Sequence, residues 1–364
     1  MLSLSEGTKT IAVMGATGAQ GGATVKAFHA IKEGGNNDFK VRAITRDPTS
    51  EKAKAIESLV DEVVKADAND ETSMVEAFKG CHGAYIVTNF WEDMDANHEM
   101  AMLRTIKDAA TKAGVKHIVL STLESAKDFV DQAENVETWK VPEGYEESGF
   151  YVPHFDGKAE VTKEYDGLPV TKFYTSFYYE NFIYFGMGPS RQSEKDAYAL
   201  TFPLGDVKMP VVAVSDIGKA ACAIFQDESL IGKSVGIQSD VLTGKEMADV
   251  FAKVCGQPVH YNAVPTDVYA SFGFPGAADL ANMFRYKVEN AENFQANRMI
   301  DDSKLLEKIG KTTTLEEWVI ENKDAFQLNP TKVDDIASKD NKTGVSTVPS
   351  HEEHGRCESL CTIS

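Results

Sequence analysis

The sequence predicts an α/β fold: a Rossmann-like, doubly wound parallel sheet followed by a smaller mixed α/β C-terminal domain. Three observations carry this. Short apolar runs alternate with helical patterns through the first half of the chain. A glycine-rich turn joins the first run to the first helix. After about residue 185 the alternation gives way to short elements punctuated by glycine and proline. The expected divisions are 9–185, 186–328 and a polar, aperiodic tail over 329–364.

The elements follow in order. Ile11-Ala-Val-Met14 is the first strand, and Ala23–Ile31 the helix after the glycine turn. Phe39–Thr45, Val60–Lys65, His82–Thr88, Lys116–Ser121 and Val170–Thr175 read as strands two to six. Helical spacing covers Glu51–Leu59, Glu71–Lys79, Met94–Lys112 and Asp156–Tyr165 between them. The polar run Glu134–Ser148, which contains Tyr145, reads as a mobile loop near the site. In the second half, helices are expected over Val214–Gln226, Gly244–Cys255 and Leu315–Lys323.

Composition narrows the function. With 37 Lys+Arg against 56 Asp+Glu the net charge is −19, which repels phosphate polymers and argues against direct nucleic-acid binding. The chain lacks an 18-residue apolar stretch, so a membrane-spanning helix is not expected. Residues 1–10 have neither the basic start nor the apolar core of a secretion signal. The five cysteines show no metal spacing and no metal is expected, so a reducing, cytoplasmic setting fits.

Gly15-Ala-Thr-Gly18-Ala-Gln-Gly21-Gly22 follows the first strand directly. Glycines there let the backbone turn and approach a pyrophosphate, and the free N–H groups of the next helix take its charge. Strand two ends in Thr45-Arg46-Asp47-Pro48. An acidic residue at that strand end grips a ribose 2′-hydroxyl, whereas an arginine meets a 2′-phosphate. Arg46 therefore argues for NADP(H) over NAD(H).

With the glycine turn, Val87-Thr-Asn-Phe-Trp-Glu92, His154-Phe-Asp-Gly-Lys158, Tyr178-Tyr-Glu-Asn181 and Gly273-Phe-Pro-Gly-Ala-Ala-Asp-Leu-Ala-Asn-Met-Phe-Arg285 make the chain resemble the NmrA-like family, most closely its NADPH-sensor type, over residues 9 to 328. These proteins are atypical relatives of the short-chain dehydrogenases. The resemblance implies that Gly15, Thr17, Gly18, Ala19, Gln20 and Gly21 line the pyrophosphate. It implies that Arg46 through Ser50 surround the 2′-phosphate, with Asp67 and Ala68 at the adenine edge. Thr88, Asn89 and Phe90 would border the ribose and nicotinamide, Lys158 would bond the nicotinamide ribose, and Tyr178, Tyr179, Glu180 and Asn181 would close over the nicotinamide.

Short-chain dehydrogenases use Tyr-x-x-x-Lys, the tyrosine as proton donor and the lysine to lower its pKa. Here His154 fills the tyrosine position and Lys158 is kept, with Ser121 or Thr122 as the serine counterpart. A neighbouring ammonium disfavours imidazolium, so His154 is expected to be a poor acid and a packing or hydrogen-bonding residue. The leading expectation is a redox sensor, cytoplasmic or nuclear, that binds NADP(H) and acts through regulatory protein partners. A homodimer is also expected. The alternative is an NADPH-dependent reductase of a small electrophile, a carbonyl or quinone.

The chain ends in Cys361-Thr-Ile-Ser364, a C-a-a-X pattern with serine last, which points to a farnesyl group on Cys361. Cys357 is a candidate for a palmitoyl chain, and together they would attach the protein peripherally to a membrane. A Cys357–Cys361 redox pair and an inert tail are the other readings.

Overall fold

The computed structural model describes residues 7–192, 197–298, 303–326 and 328; Cys357, Cys361 and the rest of the expected tail lie outside the described residues. Strands β1 (Lys9–Val13), β2 (Phe39–Thr45), β3 (Glu62–Lys65), β4 (Gly83–Ile86), β5 (His117–Thr122) and β6 (Val170–Tyr174) stand where the apolar runs predict them. Helices α1 (Ala19–Glu33), α2 (Glu51–Ile56), α3 (Glu71–Phe78), α4 (Ala96–Ala113), α5 (Ala126–Val130) and α6 (Pro153–Thr162) lie between them. Their starts are chemically marked: the side chains of Ser50, Asp70 and Asp95 accept first-turn N–H groups of α2, α3 and α4. Proline opens α6, where a missing N–H costs nothing. That helix starts three residues before the expected Asp156, which places His154 inside its first turn.

After β6 come β7 (Phe177–Tyr178), α7 (Asn181–Tyr184), β8 (Ser190–Gln192), β9 (Ala197–Phe202) and β10 (Met209–Val212). Then follow α8 (Val214–Phe225), β11 (Ser234–Gly236), β12 (Asp240–Leu242), α9 (Gly244–Cys255) and β13 (Val259–Ala263). The helices α10 (Thr266–Ala270), α11 (Ala277–Glu289), α12 (Ala291–Ala296), α13 (Ser303–Ile309) and α14 (Leu315–Glu321) complete the chain. The main sheet has seven strands in the order β11-β6-β5-β4-β1-β2-β3, every pair parallel. Two three-stranded sheets, β12-β10-β7 and β13-β9-β8, form the smaller layer.

The division expected at residue 185 is interleaved. The segment 214–236 returns to the first layer, with α8 packed on α1 and β11 added to the sheet edge. Gly218 makes that helix crossing close, since a Cβ there would sit 2.3 Å from the carbonyl of Ala23. One face of the sheet buries Val25, Phe28, Ile217 and Phe225; the other buries Met74, Phe78, Leu103 and Ile106. A third core, built on Phe177, Phe202, Phe251, Phe284 and Trp318, fills the smaller layer. Strand order reverses between β1 and β4, and in such sheets ligands bind beyond the carboxyl ends of the strands at that point.

Candidate functional site

Two adjoining spaces open at that switch point. The first is a cleft lined by Gly15, Thr17, Gly18, Arg46, Ser50, Asp67, Ala68, Thr88 and Asn89. Gly15 turns the chain at φ 58, and Gly18 N–H donates to Gly15 O at 2.8 Å. Gly21 packs so tightly that a Cβ would lie 2.2 Å from Gly15 O and 2.4 Å from Met14 O. A turn this compressed leaves its outer face as bare backbone. The start of α1 has no side-chain cap, which leaves first-turn N–H groups available to a bound anion. The geometry fits a dinucleotide.

Arg46 and Glu92 form an ion pair at the cleft mouth, both exposed. Ser50 is engaged as the cap of α2, its Oγ accepting from Ala53 N–H at 3.2 Å. Asp67 stands beyond β3, where its carboxylate accepts Asn69 N–H at 2.9 Å.

The second space, a cavity of about 130 Å³, is mostly apolar and reaches under the smaller layer. Val87, Thr88 and Asn89 border both spaces. Phe90, His154, Lys158, Tyr178 and Asn181 line it, as do Ser121, Trp91, Phe177, Phe294 and Lys287. Gln20 belongs here rather than to the pyrophosphate turn. Its side-chain oxygen accepts the Tyr85 hydroxyl at 2.5 Å and its amide donates to the Tyr178 hydroxyl. Burial pushes both phenols up, so both remain donors at neutral pH.

His154 is buried and turned into protein. Its Nδ1 meets Asp279 Oδ1 at 2.6 Å and its backbone N–H donates to the same carboxylate at 3.3 Å. Phe90, Trp91 and Phe155 surround the ring. Lys158 Nζ donates to Thr88 Oγ1 at 2.9 Å and to Thr88 O at 3.2 Å, and pairs with the fully buried Glu99. Asp156 holds the start of α6 by accepting N–H groups from Lys127 at 2.8 Å and Val152 at 2.9 Å. Burial raises that carboxyl to about 6 against those donors. Of the two hydroxyls considered after β5, Ser121 faces the cavity; Thr122 is buried against Thr162 Oγ1 at 2.6 Å.

Three expected residues stand elsewhere. Tyr179 is fully buried in the smaller core, its hydroxyl on Asp240 at 3.0 Å. The expectation fails there because β7 ends at Tyr178 and the chain turns, which carries the Tyr179 side chain into the smaller core while Phe177 and Tyr178 line the cavity. Glu180 accepts Val214 N–H at 3.2 Å and Trp318 Nε1–H at 3.2 Å, capping α8, and burial raises it to about 7. Ala19 borders an outer groove beside Glu180. Tyr145 is not on a loose loop: its hydroxyl donates to Met94 O at 3.0 Å and accepts Ala96 N–H at 2.9 Å. Asp279, Glu99 and Lys287 escaped the sequence reading. Only Lys287 leaves a local trace, a lysine on the apolar stripe Leu280, Met283, Phe284 of α11.

Among the described residues no group of three or more His, Cys, Asp or Glu is placed to hold a metal ion. No helix of those residues is long and apolar enough to cross a membrane.

Fold, glycine turn and cleft define a class: an α/β protein with a dinucleotide cleft at the switch point of a parallel sheet. The chain belongs to the NmrA-like family, whose model matches residues 7–319. It is 32% identical over 267 residues to the NmrA-like family domain-containing oxidoreductase malD of Malbranchea aurantiaca, covering 71% of this chain and 76% of that protein. Among solved structures it resembles NmrA, a negative transcriptional regulator, in complex with NADP: TM-score 0.65, 19% identity, 87% of this chain and 95% of the other. It also resembles the NADPH-dependent quinone oxidoreductase QOR2 of Escherichia coli complexed with NADPH: TM-score 0.63, 22% identity, 86% and 99% covered.

Proposed function

We propose that this chain is an NADP(H)-dependent reductase of a small, apolar electrophile of the carbonyl or quinone class. One observation carries the reading: Thr88 and Asn89 form a shared border between the dinucleotide cleft and an apolar cavity that a substrate can enter. The backbone of the glycine turn would hold the pyrophosphate, Arg46 would take the 2′-phosphate in exchange for Glu92, and Lys158 would bond the nicotinamide ribose. When bound, the reduced nicotinamide supplies a hydride. The cavity's rings exclude water from that transfer. The tyrosine of the usual acid is absent, so the proton must come from another donor on the cavity wall, and Ser121, Tyr178 and Lys287 line it. The oxidoreductase relatives and the quinone reductase neighbour support this reading.

A second reading has its own support. His154 occupies the acid's place but is committed to Asp279, which favours a sensor that binds NADPH without consuming it and answers to protein partners. One experiment separates the two. The purified full chain is titrated with NADPH and NADH, then mixed with NADPH and a panel of aldehydes and quinones. Loss of reduced-nicotinamide absorbance with any panel member supports the reductase. Tight NADPH binding with no consumption across the panel supports the sensor. No binding of either nucleotide refutes both.

A further inference from the structure

Among the described residues Lys287 has no counter-ion. It is 4% exposed, on α11, and lines the apolar cavity. Four rings surround its Nζ, with centroids 5.8 Å (Phe155), 5.5 Å (Phe177), 5.9 Å (Phe284) and 5.3 Å (Phe294) away. Among the described residues no carboxylate, carbonyl or hydroxyl is within hydrogen-bond reach of it. The other cations of this region are matched. Lys158 pairs with Glu99, His154 with Asp279, and Arg298 holds Glu124 while donating to Thr175 O at 2.9 Å.

An unpaired ammonium among rings is costly to bury. Each ring face attracts a cation by about 0.5–2 kcal/mol, but at 5.3–5.9 Å the four stand near the far limit of that contact and offer the N–H groups of Nζ no lone pair. A methionine would fill the same stripe without that cost, so packing does not explain the residue. Burial accordingly lowers the Lys287 pKa to about 7. What would compensate the charge is an anion delivered into the cavity.

We propose that Lys287 Nζ is the anchoring cation of this cavity, selecting flat, ring-bearing molecules whose polar end is a carboxylate or another anionic oxygen. The ring would lie among Trp91, Phe177 and Phe294, and the oxygen would accept from Nζ. This names a substrate class for the reductase reading and rests on it, yet the contact itself needs only the cavity. Selectivity is local, because a chain of net charge −19 repels small anions elsewhere.

The test uses two probes of nearly one shape, 2-naphthoate and its uncharged amide, 2-naphthamide. Each is titrated into the full chain, with and without NADP+, by calorimetry and by the fluorescence of the cavity tryptophan. Wild type should bind naphthoate about tenfold or more tightly than naphthamide, the scale of one charge-assisted contact. Lys287→Met should abolish that preference while leaving naphthamide affinity within about twofold. Lys287→Gln repeats the measurement with a polar side chain, and the wild-type comparison needs no variant at all. Equal binding of the two probes, no binding of either, or a preference that survives in Lys287→Met overturns the proposal. Naphthoate preference without any NADP+ binding would sink the reductase reading and leave Lys287 as the anchor.

Discussion

Replacing Lys287 by methionine should make the protein more stable, and by an amount that depends on pH. Nζ is buried without a partner, and burial moves its pKa from the ordinary 10.5 to about 7. At about 1.4 kcal/mol per pH unit, that gap corresponds to about 5 kcal/mol held against folding. The sign follows from the proton count. Below about pH 7 the folded and unfolded lysines are both charged, and folding bears the whole cost. Between about 7 and 10.5 the folded lysine is neutral and the unfolded one charged, so stability rises with pH. Above 10.5 the cost is gone. Lys287→Met should therefore raise the unfolding free energy by about 3–5 kcal/mol at pH 6, the shortfall reflecting the attraction of the surrounding rings for the cation. By pH 10 the gain should shrink to about 1 kcal/mol or less. Guanidinium unfolding of both proteins at pH 6, 8 and 10 measures the difference, in which the titration of all other groups cancels. A gain that is the same at every pH, or a loss at pH 6, would mean that the ammonium is solvated or paired, and the reasoning would fail.

Other perturbations test the rest of the architecture. Gly218→Ala should cost about 2 kcal/mol or more, because the new methyl meets the Ala23 backbone at 2.3 Å and the two helices must part; thermal unfolding reads it. Arg46→Ala should weaken NADPH binding about tenfold and leave NADH nearly unchanged, and equal losses for the two nucleotides would remove Arg46 from 2′-phosphate recognition. His154→Phe should lower stability by about 2 kcal/mol by leaving the buried Asp279 short of a donor. The same variant should keep any turnover within about threefold; a loss of several hundredfold would make His154 the acid after all.

Much of the site could be read from residue order because its logic is local. Gly15, Gly18 and Gly21 are dictated by a bend and a close approach within one turn of chain. Arg46 follows from the end of β2, and the sheet follows from the alternation of apolar runs. Where local pattern thinned, reading failed. The strand Ser234–Gly236 is three residues long and sits in the second half of the chain, yet it completes the main sheet beside β6. Tyr178 and Tyr179 are adjacent, and only the turn that follows β7 decides which one faces the cavity. Lys287 breaks an apolar stripe, but a lysine there reads equally well as the edge of a solvated face.

The sequence by itself determined the fold class, the family and the dinucleotide turn, because periodicity and backbone sterics act between near neighbours. Tertiary structure alone decided the partners of the charged groups. His154 meets Asp279 across 125 residues, and Lys158 meets Glu99 across 59. Such pairings, and the absence of one for Lys287, arise from how whole layers pack, and no local window of residues carries that information.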